Sequence, residues 1–233
     1  MPRSVQTVRT PIGLALLAGL SLLAGGAGLA WHHHGMTRPG PVGPSPAHWP
    51  EASELPRPVA RPRLLLFAHP RCPCTAASLE QIRGIAPSFE GVLVLGGPAL
   101  RESDAESPLA RRARGLGLEL RLDPTGAEAL RFGALTSGHA VLYAPDGRLL
   151  FSGGVTPFRG AVGPSLGLRR LRTALGPAET PPSVATADVF GCVISGGGPA
   201  APAAAPVACC PPENAAAAEA PPRSLPTPGP SDG

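Results

Sequence analysis

A strand-like run that ends in a pair of cysteines constrains this chain more than any other stretch. Residues 64–75 read LLLFAHPRCPCT, and the apolar run 64–68 is typical of a buried central strand. Cys72 and Cys74 follow, separated by one proline, and a helical pattern begins at once. Because a helix N-terminus stabilises a thiolate, this arrangement favours thiol redox chemistry.

The proline between the two cysteines predicts their local geometry. Proline disfavours the helical region for the residue before it, so Cys72 should be extended. Pro73 suits the first helical position, which makes Cys72 the N-cap and places Cys74 in the first turn. We therefore expect Cys72 to be exposed and to act as the attacking thiolate, with Cys74 as the resolving thiol. The alternative is a pair of small, buried cysteines at a strand end.

Three further cysteines bring the total to five. Cys192 follows Val-Phe-Gly after the last predicted helix. The sequence fits two roles for Cys192 equally well: a small apolar residue, or a third thiol for redox chemistry or metal binding. Cys209 and Cys210 lie in an Ala- and Pro-rich tail, where isolated thiols are expected. The odd count leaves at least one cysteine outside intramolecular disulfides.

Two histidines lie close to predicted strands. His69 precedes the cysteine pair by three residues. As an imidazolium it would favour a thiolate, and as a neutral imidazole it could ligate a metal with Cys72, Cys74 and also Cys192. It could equally be a turn histidine without chemistry. His139, at the start of a predicted strand, is expected at the surface or at a sheet edge.

The N-terminal region predicts a membrane anchor. Residues 12–30 are uncharged and follow Arg3 and Arg9, and these 19 residues approach the ~20 that cross a hydrocarbon core. Residues 11–31 are therefore predicted as a single-pass anchor in a bacterial cytoplasmic membrane, with a cleaved signal as the alternative. Residues 1–10 would lie in the cytoplasm, and the C-terminal domain would face the periplasm or the outside.

Proline and alanine content sets the expected limits of the folded domain. Residues 32–62 are rich in proline without an apolar period, which predicts a spacer between membrane and domain. Residues 63–176 hold regular patterns and are predicted to fold. Residues 177–198 form a C-terminal extension that carries Cys192. Residues 199–233 are predicted to be disordered, because their composition cannot bury a core.

Within the predicted domain, strand patterns and helix patterns alternate. Predicted strands cover residues 64–68, 91–95, 119–122, 139–143 and 148–152, and predicted helices cover residues 75–86, 107–114, 125–132 and 166–175. The Pro-Asp-Gly between the last two strands indicates a hairpin. A strand–helix–strand unit followed by a hairpin and a helix is the thioredoxin plan, an α/β fold with a mixed sheet flanked by helices.

The basic and aromatic residues exclude several functions. All 20 basic residues are arginine, which excludes lysine Schiff-base chemistry and a P-loop lysine, and the bias suggests a GC-rich bacterial genome. The arginine clusters fall in predicted helices, where they form solvated faces. Aromatic residues make up only 4% of the chain, so base stacking and a nucleic-acid partner are not expected.

Residues 64–192 contain four motifs, in the order FAHPRCPCTAASL, RFGALTSG, YAPDGRLLFSGGVT and FGC. Together they resemble the RedB-type proteins of the thioredoxin-like superfamily. The resemblance implies a thioredoxin-like fold and a thiol-disulfide role, with protein thiols or disulfides of the cell envelope as partners.

The chain departs from ordinary thioredoxins in three respects. It has Cys-Pro-Cys instead of their Cys-x-x-Cys, and Gly138 stands where they place a cis-proline that faces the cysteines. The strand over residues 64–67 also lacks the buried acid that they use as a proton acceptor. Gly138 therefore argues against substrate-peptide binding by the usual route, and His69 is the nearest candidate for a base.

Three functions fit these observations. The first is a membrane-anchored, envelope-facing thiol-disulfide oxidoreductase that uses Cys72, Cys74 and His69 and needs no cofactor. The second is a protein that handles copper or zinc through the same residues and Cys192, because soft thiolates select these metals. The third is a binding module of thioredoxin fold without turnover.

Overall fold

Strands and helices alternate along the chain. The computed structural model describes residues 12–97, 100–176 and 183–194. In chain order the regular elements are helix α1 (Ile12–Thr37), strand β1 (Arg63–Ala68), helix α2 (Pro73–Ile82), strand β2 (Glu90–Gly96), helix α3 (Pro108–Gly115), strand β3 (Glu119–Asp123), helix α4 (Ala127–Arg131), strands β4 (His139–Tyr143) and β5 (Leu149–Gly153), helix α5 (Leu166–Leu175) and strand β6 (Ala185–Thr186). Short 3-10 helices cover Arg83–Ser88 and Glu102–Glu106.

In the described part of the chain, the strands form one mixed sheet of six in the order β3-β2-β1-β4-β5-β6. β1 pairs in parallel with β2 and antiparallel with β4, and β4 pairs antiparallel with β5. A strand–helix–strand unit thus adjoins a hairpin, and α5 follows the hairpin. This strand order and these connections define a thioredoxin-like fold, which confirms the predicted α/β class.

The central strand β1 is buried on both faces, as its continuous apolar sequence predicts. Leu64 and Leu66 face the side of the sheet that α2, α3 and α5 cover. Leu65 and Phe67 face the opposite side, where Trp49 packs. Because two separate cores hold β1, the loop that follows its last residue has a fixed position.

Most of the predicted elements are confirmed. The hairpin has Gly147 in its turn at a φ of +85°, and α5 begins and ends as predicted. α2 ends at Ile82, earlier than predicted, and the chain continues as a 3-10 helix that contains Pro87. Proline cannot lie inside an α-helix without removing a hydrogen bond, which accounts for the early end. β6 was not predicted, because two residues are too few to form a pattern.

His139 lies in the core, and the prediction of a surface or edge position is wrong. It is 0% exposed, because β4 lies between β1 and β5. Its Nε2 lies 2.8 Å from Oγ of Ser152, which in turn lies 2.8 Å from Oγ of Ser45. Burial lowers the pKa of His139 to about 4, so the ring is neutral at neutral pH.

An apolar helix, α1, leads into the domain. It runs for 26 residues and exposes its leucines instead of packing them in a core. Its stretch Gly13–Thr37 is long and apolar enough to cross a membrane, and a signal sequence has the same character. The helix also includes the three histidines at 32–34, which lie beyond the predicted span of residues 11–31.

Residues 38–62, here called the N-terminal strap, pack along the domain, whereas their proline content predicted a spacer. Trp49 is only 5% exposed, and its ring lies against those of Phe132 and Tyr143, with centroids 5.1 and 5.2 Å away. The backbone N–H of Trp49 donates to the carbonyl O of Gly147 at 2.7 Å. A buried aromatic ring and hydrogen bonds to the hairpin thus replace the regular structure that the strap lacks.

Residues 183–194, here called the C-terminal segment, also pack on the domain. β6 pairs in parallel with β5, and Val189 and Ile194 are buried. The N–H of Gly40 in the strap donates to the carbonyl O of Val189 at 2.8 Å. The packed chain thus continues past Gly176, where the sequence predicted the domain to end.

Some predictions fall on parts of the chain outside the described residues. These are the cytoplasmic placement of residues 1–10, the disorder of residues 199–233, and the isolated thiols of Cys209 and Cys210. They stay predictions of the sequence alone.

Candidate active site

The end of β1 places Cys72 at the N-terminus of α2. Cys72 has an extended backbone, with φ −88° and ψ 112°, and Pro73 begins the helix. This is the geometry that the steric clash of proline with its preceding residue predicts. The N–H of Cys72 donates to the carbonyl O of His69, and the N–H of Thr75 donates to the carbonyl O of Cys72, both at 3.1 Å. Backbone hydrogen bonds therefore hold the Cys-Pro-Cys turn on both sides.

Both cysteines of the pair are buried, which corrects the prediction of an exposed Cys72. Cys72 is 3% exposed and Cys74 is 2% exposed. Cys192, which is half-buried, lies against Cys72, and their Sγ atoms are 3.3 Å apart. The C-terminal segment thus brings a third cysteine to the pair, and all three are thiols in this structure.

Backbone contacts fix the position of Cys192. The N–H of Ser137 donates to the carbonyl O of Cys192 at 2.7 Å. A Cβ at position 191 would overlap the carbonyl O of Ser137, so Gly191 is what allows the two segments to come this close. The guanidinium of Arg159 donates to the carbonyl O of Gly191. Cys192 is therefore held by its own backbone and that of its neighbour.

The surroundings of Cys72 favour its thiolate. The hydrogen bond from the side chain of Cys192 lowers the pKa of Cys72 most, and that from Cys74 comes next. Burial acts in the opposite direction, but the N–H of Cys192 and the hydroxyl of Ser137 add further donors. The result is a pKa of Cys72 well below its ordinary value. The sequence predicts a contribution from helix amides, whereas the neighbouring thiols lower this pKa most.

Ser137 is a site residue that reasoning from the sequence missed. Its Oγ accepts a hydrogen bond from the N–H of His69 at 2.9 Å and lies 2.9 Å from Oγ1 of Thr75. It also donates to Cys72, so it connects the end of β1, the start of α2 and the loop before β4. A signal was present, because Ser137 precedes Gly138 in the segment predicted to face the cysteines.

His69 lies beside the site at the end of β1. The N–H of Arg71 donates to its Nδ1 at 3.3 Å. The groups that lower the pKa of Cys72 are two thiols, an amide and a hydroxyl. A catalytic role for His69 stays a prediction.

Gly138, the residue that the sequence aligns with the cis-proline of thioredoxins, directly precedes β4. Its φ of +90° lies in the region that favours glycine. Its N–H donates to the carbonyl O of Phe67 at 2.8 Å, so this amide is engaged within the protein. A peptide substrate could pair with this amide only by breaking that hydrogen bond.

The metal alternative named Cys72, Cys74, His69 and Cys192 as the ligand set. Copper and zinc would require these side chains to converge on one point. Among residues 12–97, 100–176 and 183–194, no three or more His, Cys, Asp or Glu side chains are grouped in a way that could hold a metal ion. A metal site formed by these four residues stays a prediction of the sequence.

No protein-family profile matches the chain, and no curated protein matches it. Solved structures with some likeness include a hypothetical protein from Sinorhizobium meliloti, with 19% identity, a TM-score of 0.47, and coverage of 66% of this chain and 97% of that chain. An uncharacterized conserved protein from Geobacillus kaustophilus has 16% identity, a TM-score of 0.48, and coverage of 68% and 92%.

A further likeness is to StoA from Bacillus subtilis, with 15% identity, a TM-score of 0.38, and coverage of 60% of this chain and 100% of that chain. At such scores, what these proteins do says nothing about the activity of this chain. Its fold is established by the strand order and connections described above.

Proposed function

We propose that this chain is a thiol-disulfide oxidoreductase that faces the cell envelope, with α1 as its membrane anchor. Cys72 is the attacking thiolate, Cys74 is a resolving thiol, and protein thiols or disulfides are the substrates. The observation that carries this proposal is the position of Cys72 at the start of α2, with Sγ of Cys192 3.3 Å from its own Sγ. These surroundings also lower the pKa of Cys72. The motif resemblance to RedB-type proteins supports the same assignment.

The reaction follows from the thiolate. Sγ of Cys72 attacks one sulfur of a substrate disulfide, and the other substrate sulfur leaves as a thiolate and takes up a proton. The Cys74 thiol then loses its proton, attacks Sγ of Cys72 and releases the first substrate sulfur. The substrate disulfide has become two thiols, and the protein has given up two electrons to form a disulfide.

Access to Cys72 requires a local movement. Because Cys72 is 3% exposed, a protein disulfide can reach its Sγ only when the chain around Cys192 shifts. The C-terminal segment thus both stabilises the thiolate and limits contact with it. The backbone N–H of Gly138 is already donated to the carbonyl O of Phe67 and is not available to a substrate. The substrate is therefore expected to bind through side chains near the thiols.

Trapping a mixed disulfide tests the proposal. In the full chain in detergent, Cys74→Ser combined with Cys192→Ser leaves Cys72 without a neighbouring thiol. This double variant should accumulate a mixed disulfide between Cys72 and an insulin chain. The matched Cys72→Ser variant should trap none. The native chain should also accelerate insulin reduction by dithiothreitol. The proposal is contradicted if the double variant traps no insulin chain and the native chain does not accelerate insulin reduction. Stoichiometric copper or zinc in the purified chain would then favour metal handling.

Location is tested separately. An alkaline phosphatase reporter fused after residue 233 should be active, because the domain is proposed to lie outside the cytoplasm. The chain should also stay in the membrane fraction after a carbonate wash, since α1 is proposed as an uncleaved anchor. An inactive reporter would contradict the orientation, and a shortened, washed-off chain would show that α1 is a signal.

A further inference from the structure

A thiol from a distant part of the chain lies against the nucleophile. The Sγ atoms of Cys72 and Cys192 are 3.3 Å apart, although 120 residues separate them in sequence. A disulfide bond has a length of ~2.05 Å, so an approach of about 1.2 Å would join the two sulfurs. We propose that Cys192 is a resolving thiol for Cys72 and that turnover passes through a Cys72–Cys192 disulfide. This inference rests on the proposed oxidoreductase function.

The alternative bond within the Cys-Pro-Cys turn is less favourable. Cys72 and Cys74 are two residues apart, so a disulfide between them closes a very small ring. Pro73 stiffens that ring because its φ is fixed, and disulfide geometry tolerates little deviation. Cys192 comes from another segment, so a bond to it closes no small ring and leaves the first turn of α2 intact.

The structure holds Cys192 in the required place from both sides. The N–H of Ile194 donates to the carbonyl O of Leu135 at 2.9 Å, and the carbonyl O of Val189 accepts from the N–H of Gly40 at 2.8 Å. Ile194 and Val189 are both buried. With its flanks anchored in this way, Cys192 stays beside Cys72 without a large loss of chain entropy when the bond forms.

The resolving step balances in atoms and electrons. Cys72 first forms a mixed disulfide with one substrate sulfur, and the other substrate sulfur leaves as a thiol. Cys192 then transfers its proton to the departing substrate sulfur, and its own sulfur attacks Sγ of Cys72. One disulfide breaks and one forms, so the substrate leaves as two thiols and the protein keeps the Cys72–Cys192 bond. In the reduced protein, Sγ of Cys192 already lies 3.3 Å from Sγ of Cys72, so the attacking sulfur needs to move little to reach it.

Disulfide mapping distinguishes the two resolving thiols. The full chain, in detergent and with Cys209→Ser and Cys210→Ser, is reduced, treated with oxidised glutathione, quenched in acid and mapped by mass spectrometry. A bond between Cys72 and Cys74 stays within the tryptic peptide 72–83, whereas a bond to Cys192 joins two peptides. We expect the joined peptides to be the main protein disulfide, and they should persist in a Cys74→Ala variant.

Adduct lifetimes provide the matched comparison. The glutathione adduct on Cys72 should last about tenfold longer in Cys192→Ala than in Cys74→Ala, because the former lacks the thiol that resolves it. Cys192→Ser should behave like Cys192→Ala, which controls for packing. Only the bond within peptide 72–83, with equal adduct lifetimes, would overturn the inference and leave the proposed function standing. No adduct on Cys72 in any variant would overturn both.

Discussion

The N-terminal strap and the C-terminal segment both lie beside the same sheet, but they contribute different things to it. The strap packs Trp49 against the rings of Phe132 and Tyr143. The C-terminal segment places Cys192 against Cys72. The strap is rich in proline, whereas the C-terminal segment contains no proline and one glycine, Gly191, and the sequence predicted both to lie outside the folded domain.

The difference between these two segments lies in what they reach. The strap meets the aromatic side of the sheet and the hairpin turn, where burial of a large ring stabilises the fold. The C-terminal segment meets the loop before β4 through Ser137, at the end of β1 where the thiols lie. We therefore expect changes at Trp49 to alter stability and changes in the C-terminal segment to alter the chemistry of Cys72.

The largest effect is expected from Trp49→Ala in the strap. Removal of a buried tryptophan leaves a cavity, and the loss should be about 3–5 kcal/mol in free energy of unfolding. Denaturant titration of the full chain in detergent measures it, with Trp31→Ala, 82% exposed on α1, as the control without effect. The alkylation rate of Cys72 in folded protein should not change. A loss below ~1 kcal/mol would mean that the strap is a spacer after all.

His139 should make stability depend on pH. Its folded pKa of about 4 is below the ordinary 6.5, so the unfolded state binds the proton first as pH falls. Stability is therefore complete above pH 6.5 and decreases towards pH 4, by about 3 kcal/mol for a gap of this size. His139→Gln should flatten this part of the curve, whereas exposed His48→Gln should not. An unchanged slope in His139→Gln would contradict the buried, neutral ring.

Gly191→Ala separates the C-terminal segment from the strap. The added Cβ would overlap the carbonyl O of Ser137, and such overpacking costs about 1–3 kcal/mol locally. We expect the segment to lift from the site, so alkylation of Cys72 at pH 9 should rise about tenfold while Trp49 stays buried. Gly115→Ala, where a Cβ meets open space, is the matched control. Equal alkylation rates in both variants would mean that the segment does not cover the thiol.

The smallest effect is expected from Ser45→Ala. Oγ of Ser45 donates to the carbonyl O of Phe132 at 3.1 Å and lies 2.8 Å from Oγ of Ser152. Loss of these hydrogen bonds should reduce the free energy of unfolding by about 1 kcal/mol. Ser88→Ala, at an exposed position, should have no effect in the same titration. A Ser45→Ala loss as large as that of Trp49→Ala would reverse the order of contributions within the strap.

Local rules were sufficient where the site depends on neighbours in sequence. The position of Cys72 follows from Pro73 and from the apolar run of β1, and the hairpin follows from Gly147. These features involve steric limits within a few residues. They were predicted correctly for that reason.

Long-range contacts account for what the sequence did not reveal. Burial of Cys72, the role of Ser137 and the core position of His139 all depend on strand order, which places distant residues together. The burial of Trp49 was not predicted, because a single apolar residue in a proline-rich stretch produces no hydrophobic periodicity. For the contact between Cys192 and Cys72, the only local signal in the sequence is Gly191, which precedes Cys192.

The rate of Cys72 alkylation as a function of pH tests the central claim most directly. Iodoacetamide labelling, followed for the Cys72 peptide by mass spectrometry, should show a midpoint well below that of an ordinary cysteine, because Cys192, Cys74 and Ser137 stabilise the thiolate. In Cys192→Ala the midpoint should rise by about one to two pH units, as expected for loss of a hydrogen bond to a charged group. A native midpoint near ~8.5, unchanged in Cys192→Ala, would contradict the account.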